Sequence, residues 1–132
     1  MTVARSILIA DDEPHIRALL EQTLEDLEDE GVELLTARDG EEALAVITAR
    51  RPNLVFLDVM LPTRNGYEVC RAVRAESGLA DVTIVLLTAK GQDADREEGL
   101  AAGADEFRTK PFDPDEILEL ARSRLASVDG ER

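Results

Sequence analysis

The sequence contains little of several residue types, and each scarcity excludes a class of protein. A single cysteine, Cys70, among 132 residues cannot form an internal disulfide or a Cys-X-X-Cys motif, which favours a reducing compartment. No stretch approaches the roughly 18 consecutive apolar residues that a membrane-spanning helix needs. Residues 1–10 offer only one arginine and a very short apolar run, so no signal peptide is predicted. We therefore expect a cytoplasmic protein without a membrane partner.

Basic residues are also scarce compared with acidic ones. The chain has 15 Lys and Arg against 29 Asp and Glu, a formal net charge of −14. Nucleic acids and anionic membranes attract basic surfaces, so this charge argues against both as direct partners. It suits a protein that binds cations or the basic face of another protein, although many of these acids would equally serve solubility. Hydrophobic residues make up 44% of the chain, as in an ordinary globular domain.

Short apolar runs alternate with helical patterns along the chain. The middle runs are almost continuously apolar, as in strands that are covered on both faces of a parallel sheet. The predicted strands are residues 6–10, 32–37, 54–58, 82–88 and 106–110. A helical pattern follows each of them. The alternation predicts an α/β fold, a doubly wound five-stranded parallel sheet with five helices in the (βα)5, flavodoxin-like arrangement.

Apolar spacing and punctuation define the helices. The first helix carries its apolar residues at intervals of three and four: Ile16, Leu19, Leu20, Thr23, Leu24 and Leu27. Residues 92–102 are helical in pattern but weakly apolar. Asp113 and Pro114 mark the start of the last helix, as N-cap and first-turn proline. We expect residues 1–132 to form one domain, with a core from about residue 6 to 127 and a short polar tail.

Polar side chains stand where four of the predicted strands end, the place where ligands bind in such sheets. These residues are Asp11, Asp12 and Glu13 after strand one, Asp58 at strand three, Thr88 at strand four, and Lys110 at strand five, where Pro111 follows it. Taken singly, each has an ordinary interpretation as a helix cap, a strand terminator or a solvated strand end. Their convergence on one end of the sheet favours a functional site.

The chemistry of this set indicates phosphoryl transfer. Clustered carboxylates repel one another unless a cation lies among them. A few hard oxygen ligands with room for water suit Mg²⁺. A cation, a lysine and a hydroxyl together stabilise a transferring phosphoryl group. Because no Ser, His or Cys nucleophile stands among these residues, we expect a carboxylate to accept the phosphoryl group.

Five segments in order resemble the receiver domain of two-component response regulators, of the stand-alone, chemotaxis-regulator type. They are ADDEP, LVFLDVMLPTRNGYEVC, VLLTAK, GADEF and TKPF. The resemblance extends from about Ile7 to about Leu125. It implies a signalling switch rather than a conventional enzyme. Such a switch assists its own phosphorylation and the later hydrolysis of the phosphorylated form. The implied phosphodonor is the phosphohistidine of a sensor histidine kinase or of a histidine phosphotransfer protein.

The resemblance assigns the carboxylates their roles. Asp58 matches the phosphoacceptor. Asp11 and Asp12 match the acidic pair that holds Mg²⁺ (or Mn²⁺), directly or through water. Asp58 itself and the backbone carbonyl of Met60 are the further implied ligands.

Further roles follow from the same resemblance. Thr88 matches the hydroxyl that bonds the phosphoryl oxygen, and Lys110 matches the lysine that pairs with it. The family has a cis peptide at this position, so the Lys110–Pro111 bond is predicted to be cis. Phe107 occupies the aromatic switch position and is expected to turn inward as Thr88 shifts toward the phosphoryl group. Since Phe lacks the tyrosine hydroxyl, an inward bias without phosphate is also expected.

Two positions are predicted to set the lifetime of the phosphorylated form. Met60 and Lys90 lie two residues after Asp58 and Thr88, where receivers flank the path of the attacking water. A thioether is a weak acceptor and a charged lysine has none, so neither orients that water well. We therefore expect a fairly long-lived phosphorylated form.

The output surface is implied by the resemblance. If the chain is full length, its output must be a protein contact, because it holds no output domain. The family uses the face formed by the fourth helix, the fifth strand and the fifth helix. The weakly apolar pattern of residues 92–102 fits an exposed surface there.

Other interpretations were weighed against this one. A vestigial receiver that acts only as a docking module would share the fold, although its site residues are intact here. An aspartyl-phosphate phosphatase would need an Asp two residues after the nucleophile, where this chain has Met60. Residues 93–99 resemble a Ca²⁺ loop with its glycine one place late, and a Gly-rich nucleotide loop is missing after strand one. His15 is expected on the surface, and Cys70 in the core.

Overall fold

A computed structural model describes residues 5–76, 78–89 and 93–130, with the side chains of 93–95 and 127–130 left undescribed. Its centre is one parallel sheet with the strand order β2–β1–β3–β4–β5. The strands are β1 (Arg5–Ala10), β2 (Val32–Ala37), β3 (Leu54–Asp58), β4 (Thr83–Thr88) and β5 (Glu106–Thr109). All five predicted strands are present, and their bounds differ from the prediction by one residue at most.

The described residues contain six helices rather than the predicted five. They are α1 (Pro14–Thr23), α2 (Glu25–Glu28), α3 (Gly40–Arg50), α4 (Gly66–Ala75), α5 (Asp93–Ala102) and α6 (Pro114–Gly130). The fourth and fifth predicted helices are therefore α5 and α6. Because α6 continues to Gly130, residues 127–130 of the predicted polar tail are helical. None of these helices is long and apolar enough to cross a membrane, as far as the described residues go.

The additional helix arises because the first predicted helix breaks at Leu24. The backbone there has φ −98° and ψ 7°, outside the helical region, so α1 ends and a single further turn forms α2. Leu20 and Leu24 are nevertheless fully buried. Leu19, predicted to share their face, is 37% exposed, because it lies about 100° around the helix from Leu20.

Helices cover both faces of the sheet, as the nearly continuous apolar strands predicted. On β1, Leu8 packs into one buried cluster and Ile7 and Ile9 pack into the other. The first cluster contains residues of α3, α4 and α5, and the second contains residues of α1, α2 and α6. The central strands β1, β3 and β4 are therefore buried along most of their length, and the buried polar side chains lie at or just beyond their carboxyl ends, at Asp11, Asp58 and Thr88.

The parallel register places four strand ends side by side. β1 ends beside β3, β3 beside β4, and β4 beside β5, through the pairs Ala10 with Leu57, Asp58 with Leu87 and Thr88 with Thr109. We call this side the carboxyl end of the sheet, and the opposite side the amino end. The carboxyl end is where the predicted site residues meet.

Candidate functional site

Three carboxylates come together at the carboxyl end of the sheet. One oxygen from each of Asp11, Asp12 and Asp58 lies within 4.8 Å of the others. Asp11 is 0% exposed and Asp58 is 4% exposed, whereas Asp12 is open to solvent. Asp12 is not the cap of α1, because the N-cap residue is Glu13 and it makes no side-chain cap bond. The structure thus brings together the three carboxylates predicted to hold a metal.

Asp11 is held in place by hydrogen bonds from three directions. Its N–H donates to the carbonyl of Ala37 at 3.1 Å, and its Oδ1 accepts the N–H of Glu13 at 2.9 Å. The guanidinium of Arg17 on α1 donates to the Asp11 carbonyl at 2.8 Å. Sequence reasoning missed Arg17, since no local pattern distinguishes it from an ordinary solvated residue on a helix.

Lys110 faces the carboxylates from the end of β5. Its Nζ lies 2.8 Å from Asp11 Oδ2, 3.5 Å from Asp58 Oδ2 and 3.8 Å from Glu13 Oε1. Burial lowers the pKa of this ammonium, but the hydrogen bond to Asp11 and the charge of Asp58 outweigh burial and leave the pKa raised. Lys110 therefore stays charged. The Lys110–Pro111 peptide is cis, as predicted.

The surroundings of Asp58 disfavour its charged form. Burial first, and then the charge of Asp11, raise its pKa above the ordinary value. Lys110 and the Met60 N–H, which donates to Asp58 Oδ1 at 3.2 Å, oppose that rise without cancelling it. The single ammonium of Lys110 thus faces three carboxylates, two of which are buried. The donor set of carboxylate oxygens fits a hard divalent cation such as Mg²⁺.

Thr88 is the last residue of β4, whereas Phe107 lies on β5 two residues before the end of that strand. Thr88 is 3% exposed, and its carbonyl accepts the N–H of Lys110 at 2.7 Å, which joins the ends of the two strands. Phe107 is buried, with the guanidinium of Arg96 on α5 at 5.3 Å from its ring centroid. A Cβ at Gly99 would lie 3.2 Å from the ring, so the glycine lets α5 approach closely over Phe107.

The comparison with known families decides the class of protein. The response regulator receiver domain family matches residues 7–122. This chain belongs to that family. Receiver domains are signalling switches of two-component systems, so the family match favours that interpretation over an aspartyl-phosphate phosphatase.

Relatives of this receiver domain include longer regulators. The probable transcriptional regulator ycf27 of Cyanophora paradoxa is 48% identical over 92% of this chain and 48% of its own length. The DNA-binding response regulator MtrA of Mycolicibacterium smegmatis is 43% identical over 94% of this chain and 52% of its own length. The chain thus spans about half the length of these curated relatives.

Solved structures share the fold along almost the whole receiver domain. The chemotaxis response regulator CheY4 of Vibrio cholerae superposes with a TM-score of 0.82 and 34% identity. The match covers 92% of this chain and 99% of that chain. The flavodoxin-like (βα)5 arrangement predicted from the sequence is therefore confirmed.

The remaining predicted positions of this receiver domain are spread around the site. The Met60 side chain is 70% exposed beside Asp58, whereas Lys90 lies outside the described residues. His15 is exposed and lies 3.5 Å from Glu13, as expected of a surface residue. Residues 93–99 belong to helix α5 and do not form a Ca²⁺-binding loop.

Proposed function

We propose that this receiver domain is a phosphorylation-dependent switch in which Asp58 accepts the phosphoryl group. The observation that carries the proposal is the position of the buried Asp58 carboxylate, 3.5 Å from the ammonium of Lys110 and within 4.8 Å of Asp11 and Asp12 oxygens. A carboxylate is a competent nucleophile when neighbouring positive charge neutralises the phosphoryl oxygens. This arrangement fits a role in phosphoryl transfer better than it fits a purely structural role.

The transfer itself exchanges one bond to phosphorus for another. An oxygen of Asp58 bonds to phosphorus as the phosphorus–nitrogen bond of a partner's phosphohistidine breaks, and the bonding pair stays with the departing imidazole. Lys110 pairs with one phosphoryl oxygen. The Thr88 hydroxyl donates to another. Because Lys110 and the carboxylates are already held at strand ends, they need little reorganisation when charge develops, whereas the Thr88 hydroxyl moves toward the phosphoryl group.

A divalent cation, Mg²⁺ or Mn²⁺, completes the proposed site. Asp11, Asp12, Asp58 and the backbone carbonyl of Met60 would hold it. When bound, the cation would neutralise carboxylate and phosphoryl charge. It would thereby lower the pKa of Asp58, which burial raises. The Met60 peptide is already beside Asp58 through its N–H bond. This proximity supports Met60 as a ligand.

The proposed partners lie on two sides of the reaction. Upstream is a sensor histidine kinase or a histidine phosphotransfer protein. Downstream is a protein that binds the face of α5, β5 and α6. Buried Phe107 lies beneath α5 on this face, and Leu100 of α5 is 50% exposed there. We propose that Phe107 and Thr88 link the face to the site, with the ring biased inward before phosphorylation.

Other features of the proposal rest on composition. The net charge of −14 supports a domain that does not contact DNA directly, although the name of MtrA describes a DNA-binding regulator. The single cysteine supports a cytoplasmic location. Residues 1–132 are proposed to act as one domain.

The experiment that tests the proposal uses acetyl phosphate, a small phosphodonor, with Mg²⁺. Intact mass spectrometry should show one added phosphoryl group, labile to hydroxylamine as an acyl phosphate is. Asp58→Asn should gain none. Asp105→Asn, the same change on a carboxylate at the other end of the sheet, should be labelled like the unmodified protein. A docking module with a vestigial site would remain unlabelled in every form.

A further inference from the structure

The segment that follows Asp58 is fixed to the amino end of α3. We call residues 59–65 the β3–α4 loop. The Gly40 N–H at the start of α3 donates to the carbonyl of Pro62 at 3.0 Å, and the Gly66 N–H at the far end of the loop donates to the Val59 carbonyl at 2.9 Å. One backbone hydrogen bond, from Gly40, thus joins the loop to α3, and a second, from Gly66, brings the two ends of the loop together.

Thr63 is the side chain that joins this loop to α3. Its hydroxyl accepts the N–H of Glu41 at 3.0 Å and donates to Asp39 Oδ1 at 3.3 Å. An N–H in the first turn of a helix has no partner within the helix, so Thr63 supplies the acceptor that Glu41 would otherwise lack there. Asp39 also caps α3 by accepting the N–H of Glu42 at 2.8 Å.

The backbone of Thr63 makes this contact costly to keep. Its φ is +65°, in the left-handed region that β-branched residues rarely adopt. Such a conformation is unfavourable and persists only where the surroundings enforce it. The two hydrogen bonds of the hydroxyl help to hold Thr63 in this conformation, together with the Arg64 N–H, which donates to the Pro62 carbonyl at 2.8 Å across the turn.

Two glycines show how closely the loop is packed. A Cβ at Gly40 would lie 1.9 Å from the backbone oxygen of Arg64. A Cβ at Gly66 would lie 2.7 Å from the backbone oxygen of Asp58. Both positions therefore require glycine, because a backbone neighbour cannot turn away as a flexible side chain can.

We propose that Thr63 and Gly40 are positioning residues for the metal site. They fix the β3–α4 loop on α3 so that the Met60 peptide stays beside the Asp58 carboxylate, where its N–H donates to Oδ1 at 3.2 Å. The inference rests on the proposed function, since it assigns these residues to the cation site of Asp58. Neither residue touches the cation or the phosphoryl group.

The test removes only the hydroxyl. Thr63→Val should weaken Mg²⁺ binding, measured by titration calorimetry, by about tenfold, since partners that orient metal ligands contribute about 10- to 100-fold. Thr63→Ser keeps the hydroxyl and should bind Mg²⁺ like the unmodified protein. Thr63→Gly accepts the positive φ without strain and should still bind weakly, which separates the hydroxyl from the strain.

Thr48→Val is the matched control. It makes the same change on α3, where the Thr48 hydroxyl donates to the Leu44 carbonyl at 2.8 Å, and it should leave Mg²⁺ affinity unchanged. Equal losses in Thr48→Val and Thr63→Val would overturn the proposal, because they would indicate a general effect on the helix. Unchanged affinity in Thr63→Val would also overturn it.

A metal-free readout separates this inference from the proposed function. Without Mg²⁺, Thr63→Val should speed amide hydrogen exchange at Glu41, which loses its acceptor, and at Met60, whose N–H is no longer held beside Asp58 Oδ1 by the anchored loop. If the unmodified protein binds no Mg²⁺, the proposed function fails, and the exchange at Met60 still decides whether Thr63 positions the loop. Unaltered exchange at Met60 would overturn the positioning role.

Discussion

Charged side chains gather at both ends of the sheet, Arg74 with Asp105 at the amino end and Lys110 with several acids at the carboxyl end. Arg74 of α4 lies 2.8 Å from Asp105 Oδ2. Its other donors reach backbone carbonyls of the two loops that precede β4 and β5: Leu79, Ala80, Val82 and Gly103. Asp105 Oδ2 also accepts the Ile84 N–H at 2.9 Å.

The difference lies in how completely each charge is matched. At the amino end, one guanidinium meets one carboxylate, and carbonyls accept its remaining hydrogens. At the carboxyl end, Lys110 faces Asp11, Asp58 and Glu13, and burial raises the pKa of Asp58. A matched cluster stabilises the fold, whereas an unmatched one costs stability until a ligand arrives. We infer that the first is structural and the second is a binding site.

The largest expected effect is the loss of the matched cluster. Arg74→Ala should lower the free energy of unfolding by about 3 kcal/mol, since Asp105 and several carbonyls lose their donor. Urea unfolding followed by circular dichroism measures it. Arg71→Ala on the same helix is the control: its exposed pair with Glu98 at 3.4 Å should contribute about 0–1 kcal/mol. Similar losses in both variants would remove the structural role of Arg74.

A paired Asp-to-Asn comparison should give opposite results at the two ends. Asp105→Asn should destabilise the metal-free fold by about 1–2 kcal/mol, because it weakens charge-assisted hydrogen bonds. Asp12→Asn should leave the metal-free fold equal or more stable, since it relieves repulsion, and should reduce Mg²⁺ affinity. Thermal unfolding with chelator and calorimetric titration with Mg²⁺ measure the two quantities. Clear destabilisation by Asp12→Asn would make Asp12 structural.

Acid should reduce the gain in stability that Asp58→Asn gives in chelator. The folded pKa of Asp58 is raised by burial and by Asp11, so its charge disfavours the fold at neutral pH, and protonation as pH falls removes that penalty. The excess stability of Asp58→Asn should therefore be largest at pH 7 and shrink toward the ordinary aspartate pKa of about 4. An excess that grows as pH falls would contradict the sign. Urea unfolding across this range gives the answer.

The smallest expected effect concerns the water that hydrolyses the phosphorylated Asp58 at the carboxyl end of the sheet. The exposed Met60 side chain offers the attacking water only a weak acceptor. Met60→Asn with Lys90→Glu should speed loss of phosphate from Asp58 by a few-fold, because in-line water then gains hydrogen-bonding partners. Phosphorylation followed over time by mass spectrometry measures the rate. A rate that is unchanged or slower would remove Met60 and Lys90 as determinants of lifetime.

Sequence reasoning predicted what depends on strand ends and failed where tertiary contact decides. Asp11 and Asp58 lie at the ends of apolar runs and Lys110 lies at the end of the last predicted strand, and parallel register alone brings such strand ends together. The break at Leu24 depends on how α1 and α2 pack, which the periodicity does not specify. The matched cluster of Arg74 was missed for a similar reason, because its partners lie up to 31 residues away in the chain.

The central proposal is that Asp58, at the unmatched carboxyl end of the sheet, accepts the phosphoryl group. Borohydride reduction of the acetyl-phosphate-treated protein converts an aspartyl phosphate into homoserine, and peptide mapping then identifies the position. We expect homoserine at residue 58 alone. Its formation should depend on Mg²⁺ during the acetyl phosphate treatment and should be unaffected by Asp105→Asn. Reduction at another aspartate, or a stable phosphoryl group on His15 or a serine with Asp58 unmodified, would contradict it.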